Sequence, residues 1–502
     1  MEHANNKPTQ ISGLMVTGVL LLLFYIVSIL LSGAKPVFLL TDIAVFVLII
    51  GVAALIRYSS KKEHLRDSWL RVFRNKMGVS ALVILLAYIL IGFLDSIHFR
   101  LAVENGESQP GQEVHYSNET LSVLDLFLLP LKESSEKTYS APFATHSYAK
   151  ENTETEDGKM ERRYVRLEHG GAHLEKPEDR WFDIFLRALM GLLVGAFLWA
   201  ILAAIVLELL SVKSAQSIHE TAKKAWHGNT LVPWRVVGGT LLVLCVFAGL
   251  LICWGGAYHV LGTDKVGMDV LYQSLKGVRT GLVIGSLATL FMLPLAVLLG
   301  ISAGYFKGWV DDVIQYLYTT LSSIPGILLI AASVLLLDAY MDRNPDMFDT
   351  DVDRANMRLL FLCIILGITS WTGLCRMLRG ETLKLSEIDY VQAAVAFGVS
   401  HWKIIWRHIQ PNVMHIVLIA IVLDFSGLVL AEAVLSYVGV GVDPTMHSWG
   451  NMINSARLEM AREPIVWWSL LAAFLFMFTL VLAANLFSDA VRDAFDPRIR
   501  KQ

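Results

Sequence analysis

ETLKLSEIDYVQAAVAFGVSHWKIIWRHIQP, residues 381–411, is the stretch that decides how this chain is organised. It forms the polar joint between two apolar runs and predicts two short helices, the first closed by Gly398 and the second stopped by Pro411. Ser400 stands where a side chain would cap the second helix. Two short helices joined by a tight turn predict a compact, exposed knob.

The composition around this knob is typical of a membrane protein. Of the 502 residues, 55% are hydrophobic and only 17% are charged, and the mean hydropathy is +0.53. A bilayer core of roughly 30 Å takes about 20 apolar helical residues to cross. About ten runs of that kind predict an all-α, polytopic fold, and they lie near 14–32, 37–56, 77–94, 184–208, 236–254, 280–304, 313–338, 359–375, 413–438 and 466–485.

The distribution of charge predicts the orientation of these runs. Basic residues gather in the loops 57–76 and 209–235, which indicates that both loops are cytoplasmic. The acidic loop 339–358 is then expected outside. Ten crossings between these anchors place both termini and the loop 376–412 in the cytoplasm.

The order of apolar and polar stretches predicts five segments. They are an N-terminal helical hairpin over 1–60, a first core-like membrane helix over 61–94, an extracytoplasmic insert over 95–183, an extra pair of membrane helices over 184–257 and a dense membrane core over 258–502. The insert is rich in polar residues, so it is predicted to be either a small extramembrane domain or a partly disordered one.

The sequence predicts no catalytic, cofactor or metal site. A GxxxxGK[ST] loop is missing from it, so any ATP would be used by partner subunits, and GxSxG and HExxH are missing too. His169 and His173 are separated by glycines that would not hold both rings on one ion. The cysteines show no metal-ligand spacing and are predicted to be core residues: Cys245, Cys253, Cys363 and Cys375.

Two acidic residues lie within the apolar run 413–438. A charged side chain at the centre of a membrane helix costs roughly 2.5–3.5 kcal/mol on insertion scales. Asp424 and Glu432, close to one helical face, are therefore expected to line a hydrated pathway, to contact a partner subunit or to pair with polar groups on neighbouring helices. Pro294 and Pro325 lie in other apolar runs and predict kinks.

The surface of the knob has the character of a docking element. Ala393, Ala394 and Ala396 would let another protein approach the backbone closely, and Trp402 and Trp406 supply a large apolar area. An amphipathic segment that lies on the inner leaflet is the alternative.

The knob resembles the EAA loop of binding-protein-dependent ABC importer permeases. Gln392, Ala393 and Ala394, followed at the family's spacing by Gly398 and Pro411, carry this resemblance. Gln392 stands where the family usually has glutamate, so docking is argued from shape and small residues. The resemblance implies an ATPase-coupling loop made of Gln392, Ala393, Ala394, Gly398, Trp402 and Pro411.

A second set of residues resembles the GTDxxGRD segment of the dipeptide, oligopeptide and nickel permeases within that family. Met268 replaces the arginine of this segment, which otherwise comprises Gly262, Thr263, Asp264, Gly267 and Asp269. Further matches follow in order across about 258–498, among them Gly277-Val-Arg279, Gly304-Tyr-Phe-Lys-Gly-Trp-Val-Asp311, Ser448-Trp-Gly-Asn-Met452 and Arg492-Asp-Ala-Phe-Asp-Pro-Arg498.

The resemblance implies an ABC type I importer permease in the inner membrane of a bacterium, surrounded by lipid and without nucleic acid. Its implied partners are a second permease subunit, two cytoplasmic ATPases and an extracytoplasmic substrate-binding protein. Peptides are the expected cargo, with nickel or peptide-like compounds as the alternative. The alternative function is a self-contained secondary transporter or channel, which would need coupling-ion residues in two related halves.

Overall fold

The fold is almost entirely helical. The computed structural model describes residues 34–60, 63–102, 116–154, 160–214, 218–227, 230–348 and 350–495. The helices within these ranges are α1 (Leu40–Ser60), α2 (Glu63–Val72), α3 (Lys76–Asp95), α4 (Val123–Phe127), α5 (Leu129–Glu133), α6 (Arg180–Ser214), α7 (Ile218–His227), α8 (Trp234–Gly255), α9 (Val270–Phe306), α10 (Gly308–Ser323), α11 (Gly326–Arg343), α12 (Asp351–Ser386), α13 (Asp389–Ala396), α14 (His401–Ile404), α15 (Gln410–Val438), α16 (Trp449–Glu459) and α17 (Trp468–Phe495).

Short strands and turns complete the described residues. The strands are β1 (Lys35–Val37), β2 (His98–Arg100), β3 (Leu121–Ser122), β4 (Glu151–Glu154) and β5 (Met160–Arg163). Single 3₁₀ turns lie at Pro177–Asp179 and Pro345–Met347, and a π-helical turn lies at Ile405–Ile409.

Seven helices of the described part are long and apolar enough to cross a membrane, which confirms the all-α, polytopic prediction. Each corresponds to one predicted run, namely 77–94, 184–208, 236–254, 280–304, 359–375, 413–438 or 466–485, the last of which starts two residues before its helix. The run 37–56 corresponds to α1, whose apolar part, Leu40–Ala54, is shorter. The run 14–32 lies outside the described residues. Within the described residues the structure has seven or eight candidate spans, whereas the sequence predicts ten over the whole chain.

The eighth candidate span is broken. The sequence predicts one crossing over 313–338, but α10 and α11 meet at an angle of 84°. Ile324 at the break has an extended backbone, because the ring of Pro325 disfavours the helical conformation of the residue before it. The predicted kink at Pro325 is thus confirmed as a full break, whereas Pro294 lies inside the single helix α9.

Two long helices, α9 with 37 residues and α12 with 36, form the centre of the membrane core. Glycines bring their backbones together, since a Cβ on Gly300 would lie 2.8 Å from the carbonyl oxygen of Cys375, and one on Gly367 would lie 2.7 Å from that of Ala288. Close packing of small residues is what holds helices together in lipid. The free thiols of Cys363 and Cys375 are buried in this core, as predicted, and that of Cys245 is buried in α8.

The extra pair α6 and α8 packs by the same device. A Cβ on Gly249 would lie 2.4 Å from the carbonyl oxygen of Gly191 and 2.6 Å from the backbone nitrogen of Gly195. The two backbones therefore touch, and any larger side chain at these positions would separate them.

The described parts of the insert form a folded layer. Strand β2 pairs antiparallel with β1, which comes from the N-terminal segment, and with β3; β4 pairs with β5. Over 116–154 and 160–175 the described residues of the insert are folded, while 103–115 and 155–159 lie outside the described residues. The position of the insert outside the membrane stays a prediction.

Candidate functional site

The first half of the knob is helix α13 and its glycine end. Gly398 has a φ of +73°, in the left-handed region that favours glycine. Its N–H donates to the carbonyl of Val395 over 2.9 Å, and the N–H of Val399 donates to that of Ala394 over 3.1 Å. These two bonds are the Schellman motif, so the prediction that Gly398 closes the first helix is confirmed.

The second half of the knob differs from the prediction. Pro411 does not stop a second short helix, because α14 continues through the π-helical turn into α15 as one segment, His401–Val438. The wider π-helical turn accommodates the missing N–H of Pro411, which lies in the first turn of α15. Ser400 precedes α14 but makes no capping hydrogen bond through its side chain.

The knob is anchored to the core on both sides. Val391 of α13 is buried, and the side-chain amide of Gln392 donates to the carbonyl of Ser386 over 2.7 Å. On the other side the hydroxyl of Tyr305, at the end of α9, lies 2.8 Å from Nδ1 of His401. Gln392 thus serves the joint between α12 and α13 within this chain.

The outward side of the knob is apolar and exposed. Phe397 has 86% of its surface exposed, more than Trp402 at 60% or Trp406 at 58%. Ala393 is exposed as well, whereas Ala394 is half-buried. Phe397 was not among the predicted residues, although its place between the end of a helix and a left-handed glycine could have indicated a tip.

An ion pair behind the knob joins α10 to α12. Nε and Nη2 of Arg379 lie 2.5 and 2.7 Å from the two carboxylate oxygens of Asp311. Such a bidentate pair fixes both distance and orientation. The N-terminal end of α10 is therefore joined to the end of α12 that leads into the knob.

The second predicted site lies at the opposite end of the core, between α8 and α9. Gly262 and Gly267 have φ values of +71° and +80°, so this loop uses glycine where its backbone turns left-handed. The carboxylate of Asp264 accepts hydrogen bonds from the backbone N–H groups of Val266 and Met268.

Thr263 and Asp269 connect this loop to its surroundings. Oγ1 of Thr263 accepts from the backbone N–H of Ser140 in the insert over 2.6 Å. Asp269 caps α9, with Oδ1 accepting from the N–H groups of Leu271 and Tyr272. The motif is thus an ordered loop that caps the N-terminus of α9 and forms a hydrogen bond with the insert.

A buried carboxylate of the insert, that of Glu136, also belongs to this second site. Nδ1 of His259 lies 2.8 Å from Oδ2 of Asp269, and its Nε2 lies 3.4 Å from Oε1 of Glu136. Glu136 also accepts the backbone N–H groups of Glu168, His169 and Gly170. No sequence signal marked Glu136, which is 123 residues from His259 in the chain.

This arrangement shifts both pKa values. Burial alone would lower the pKa of His259, but its bonds to Asp269 and Glu136 raise it to about 9. Burial alone would raise the pKa of Glu136, but His259 and the three backbone N–H groups lower it to about 2. The pair is therefore ionised on both sides at neutral pH, and it attaches the insert to the core.

The structure separates the two intramembrane carboxylates. Glu432 is 1% exposed, and its Oε1 accepts from Oγ of Ser436 over 2.8 Å. It faces the interior of this chain, where a Cβ on Gly450 would lie 2.6 Å from the same oxygen. Asp424 is half-buried and has no hydrogen-bond or ion-pair partner among the described residues. Its neighbour Gly427 has open space where a Cβ would be.

The sequence matches a known family over the region that holds the knob and both carboxylates. The model of the binding-protein-dependent transport system inner membrane component matches residues 296–501. The chain is also 33% identical over 244 residues to the glutathione transport system permease protein of Pectobacterium atrosepticum, covering 48% of this chain and 73% of that protein. The chain belongs to this family of binding-protein-dependent transport permeases.

Other binding-protein-dependent transport permeases show similar values. The oligopeptide transport system permease protein of Haemophilus influenzae is 32% identical over 243 residues, 48% of this chain and 71% of that protein. That of Mycobacterium tuberculosis is 32% identical over 245 residues, 49% of this chain and 78% of that protein. The chain is thus a membrane-spanning permease subunit, as the resemblance implied, and about half of it lies outside these alignments.

Proposed function

We propose that this permease subunit belongs to an ATP-driven importer of peptides in the bacterial inner membrane. Family membership supports the importer, and the names of the relatives, which transport oligopeptides, dipeptides and glutathione, support the cargo. Nickel and peptide-like compounds remain the alternative cargo.

The knob carries the mechanism that we propose. Its exposed tip, with Phe397 beside Gly398, offers a protruding apolar surface to cytoplasmic ATPases that bind and hydrolyse the ATP. This chain would then need no cofactor and no ATPase site of its own. A second permease subunit would enclose the path, and a binding protein would deliver cargo to the outer side, where the insert lies.

Movement of the knob would reach the membrane helices through its anchors. The His401–Val438 segment is one helix from the knob to the outer end of α15, and Tyr305 joins it to α9. An ATPase that shifts the tip would therefore move α15 as a lever and switch the path between outward and inward access. We infer that both termini lie in the cytoplasm, on the same side of the membrane as the knob.

The experiment is ATP-dependent uptake of a labelled peptide by proteoliposomes that contain the complex purified through this chain. We expect Gly398→Trp to abolish uptake while the complex remains inserted, because the new side chain blocks docking and strains a left-handed backbone. Gly239→Trp is the matched control, since Gly239 is exposed on α8 and has open space around its Cβ position.

Two outcomes would contradict the proposal. One is normal ATP-driven uptake by the Gly398→Trp complex. The other is uptake by the purified chain alone, driven by an ion gradient, which would identify a self-contained secondary transporter. Recovery of an ATPase and a second permease with the parent chain supports the importer.

A further inference from the structure

A shallow, open groove with a volume of about 30 Å³ lies beside the knob, between α9 and the start of the His401–Val438 segment. We call it the tryptophan groove. Its walls are two tryptophans on one side and aliphatic residues of α9 on the other, and it is lined by Val297, Leu298, Ile301, Ser302, Trp402, Ile405, Trp406 and Gln410. The hydrogen bonds that anchor the knob, made by Gln392 and Tyr305, involve none of these residues.

The α9 residues of the groove lie within the predicted membrane run 280–304, at the end of the run nearest the knob, and we place them at the depth of the inner leaflet. Leu298 is eight residues from Phe306, the last residue of α9, which corresponds to roughly 12 Å along the helix. It continues an exposed stripe of the membrane helix that runs through Leu290 and Pro294 at intervals of four residues. The outer edge of the groove is therefore continuous with the apolar surface of a span, where lipid chains would lie.

The tryptophans mark the polar boundary of this surface. Trp402 and Trp406 are separated by one helical turn and are both more than half exposed. Tryptophan is enriched where apolar chains meet lipid headgroups, because its ring is apolar and its N–H is polar. The side chains thus offer a slot for an acyl chain whose headgroup end faces the cytoplasm.

Two exposed cations lie on the same helical segment as the tryptophans. Lys403 and Arg407 follow the two tryptophans directly, so they occupy the adjoining face of the same helix, one turn apart. Both are exposed, and neither has an ion-pair or hydrogen-bond partner for its side chain within the described ranges. A basic pair next to an apolar slot is complementary to an anionic headgroup attached to an acyl chain.

We propose that the tryptophan groove binds an anionic phospholipid of the inner leaflet. The acyl chain lies between Trp402, Trp406 and Leu298, and the phosphate is bound by Lys403 and Arg407. The lipid would join α9 to the base of the knob at a point where the chain has a π-helical turn and an apolar gap. The proposal does not depend on the identity of the cargo.

The test measures lipid on the complete complex as it is purified from membranes. The complex is exposed to dioleoylphosphatidylglycerol or to the neutral dioleoylphosphatidylcholine, and bound lipid is counted by native mass spectrometry. The parent should prefer the anionic lipid, and Lys403→Gln with Arg407→Gln should lower that preference about tenfold. Both positions are exposed, so this variant should fold.

Two more variants separate headgroup from acyl chain. Trp406→Ala should weaken binding of both lipids, whereas Trp406→Phe, which keeps an apolar ring, should retain it. Lys384→Gln is the control that removes a cation elsewhere. Lys384 is exposed, lies outside the groove, and its Nζ is 3.2 Å from a carboxylate oxygen of Glu381. It should leave lipid binding unchanged.

Three results would overturn the proposal. The first is equal binding of the two lipids by the parent. The second is unchanged anionic preference in the double variant. The third is unchanged lipid binding with loss of the co-purifying ATPase or second permease from the double variant, which would make the occupant of the groove a protein.

Discussion

Asp42 and Arg279 form a buried ion pair although 237 residues separate them in the chain. Oδ1 of Asp42 lies 2.5 Å from Nη2 of Arg279, and the two residues are 1% and 5% exposed. His98 of β2 lies 2.9 Å from the other carboxylate oxygen. The helix α1 is therefore attached to the membrane core by a charge that has no access to water.

Removal of one member of this pair should destabilise the protein strongly. Asp42→Asn leaves Arg279 buried without its counter-charge, which costs about 3–5 kcal/mol in comparable sites. We expect a clear fall in the thermal unfolding midpoint of the purified chain. The double variant Asp42→Leu with Arg279→Met should recover most of the loss, because it removes both charges. Equal midpoints for the parent and Asp42→Asn would contradict this interpretation.

The attachment of the insert should depend on pH. The pKa of His259 is raised from 6.5 to about 9, so its contribution is complete below about pH 6.5 and is lost as the pH rises through 9. The pKa of Glu136 is lowered from 4.5 to about 2, so its contribution is complete above about pH 4.5 and is lost as the pH falls through 2. The insert should be held most firmly between about pH 4.5 and 6.5.

The measurement is the thermal unfolding midpoint at about pH 5.5 and about pH 9.5. Glu136→Gln should lower the midpoint at the acidic value and reduce the difference between the two. Lys137→Gln is the control, since it removes a charge next to Glu136 in the chain. Lys137 is exposed, and its ion pair with Glu168, at 3.6 Å, is exposed as well. If Glu136→Gln showed the same difference in unfolding midpoint between the two pH values as the parent, the pair of His259 and Glu136 would not be the cause of the pH dependence.

The glycine at the turn of the knob should respond to alanine in a specific way. Gly398→Ala places a Cβ on a left-handed backbone, at a cost of about 1 kcal/mol or more. The Schellman bonds should open more often, and hydrogen exchange in the 389–404 segment should be about fivefold faster. Gly380→Ala, near the C-terminal end of α12 with open space around its Cβ position, should leave this exchange unchanged. Identical exchange in all three proteins would contradict the argument.

Asp424 should be reachable from water. A cysteine at 424 should react with a membrane-impermeant thiol reagent, because a half-buried carboxylate without a partner in the described chain needs water or another subunit. Ala420→Cys is the control, one turn away on the same helix and 8% exposed, and should be protected. Both would be made in a chain with its four native cysteines replaced. Protection at 424 in the complex would favour a subunit contact over a hydrated path.

Local patterns in the sequence predicted most of the membrane helices and one turn of the knob. Hydropathy located the seven membrane-length helices, since a run such as 77–94 must be helical in lipid whatever surrounds it. Gly398 was placed correctly because a left-handed helix end strongly favours glycine. The prediction that Pro411 ends a helix was wrong, since the sequence does not show whether a wider helical turn will accommodate a residue without a backbone N–H.

Long-range pairing was beyond the sequence. Nothing local indicates that Asp42 meets Arg279, or that Glu136 meets His259, because such pairs depend on how distant elements pack. The sheet shows the same limit, as β1 precedes its partner β2 by about sixty residues. For the insert the sequence predicts either an ordered domain or a partly disordered one, because contacts with the core such as that of Ser140 with Thr263 join distant parts of the chain.

The contacts between the insert and the core include two to loops that precede different helices. Thr263, before α9, is bonded to Ser140, while the hydroxyl of Tyr148 donates to the carbonyl of Ile465, before α17, over 2.9 Å. A motion that parted these two loops would break the bonds that span them. In the importer that we propose, this face of the subunit should therefore move as one rigid unit, and the opening through which cargo enters would form along its border with the second permease.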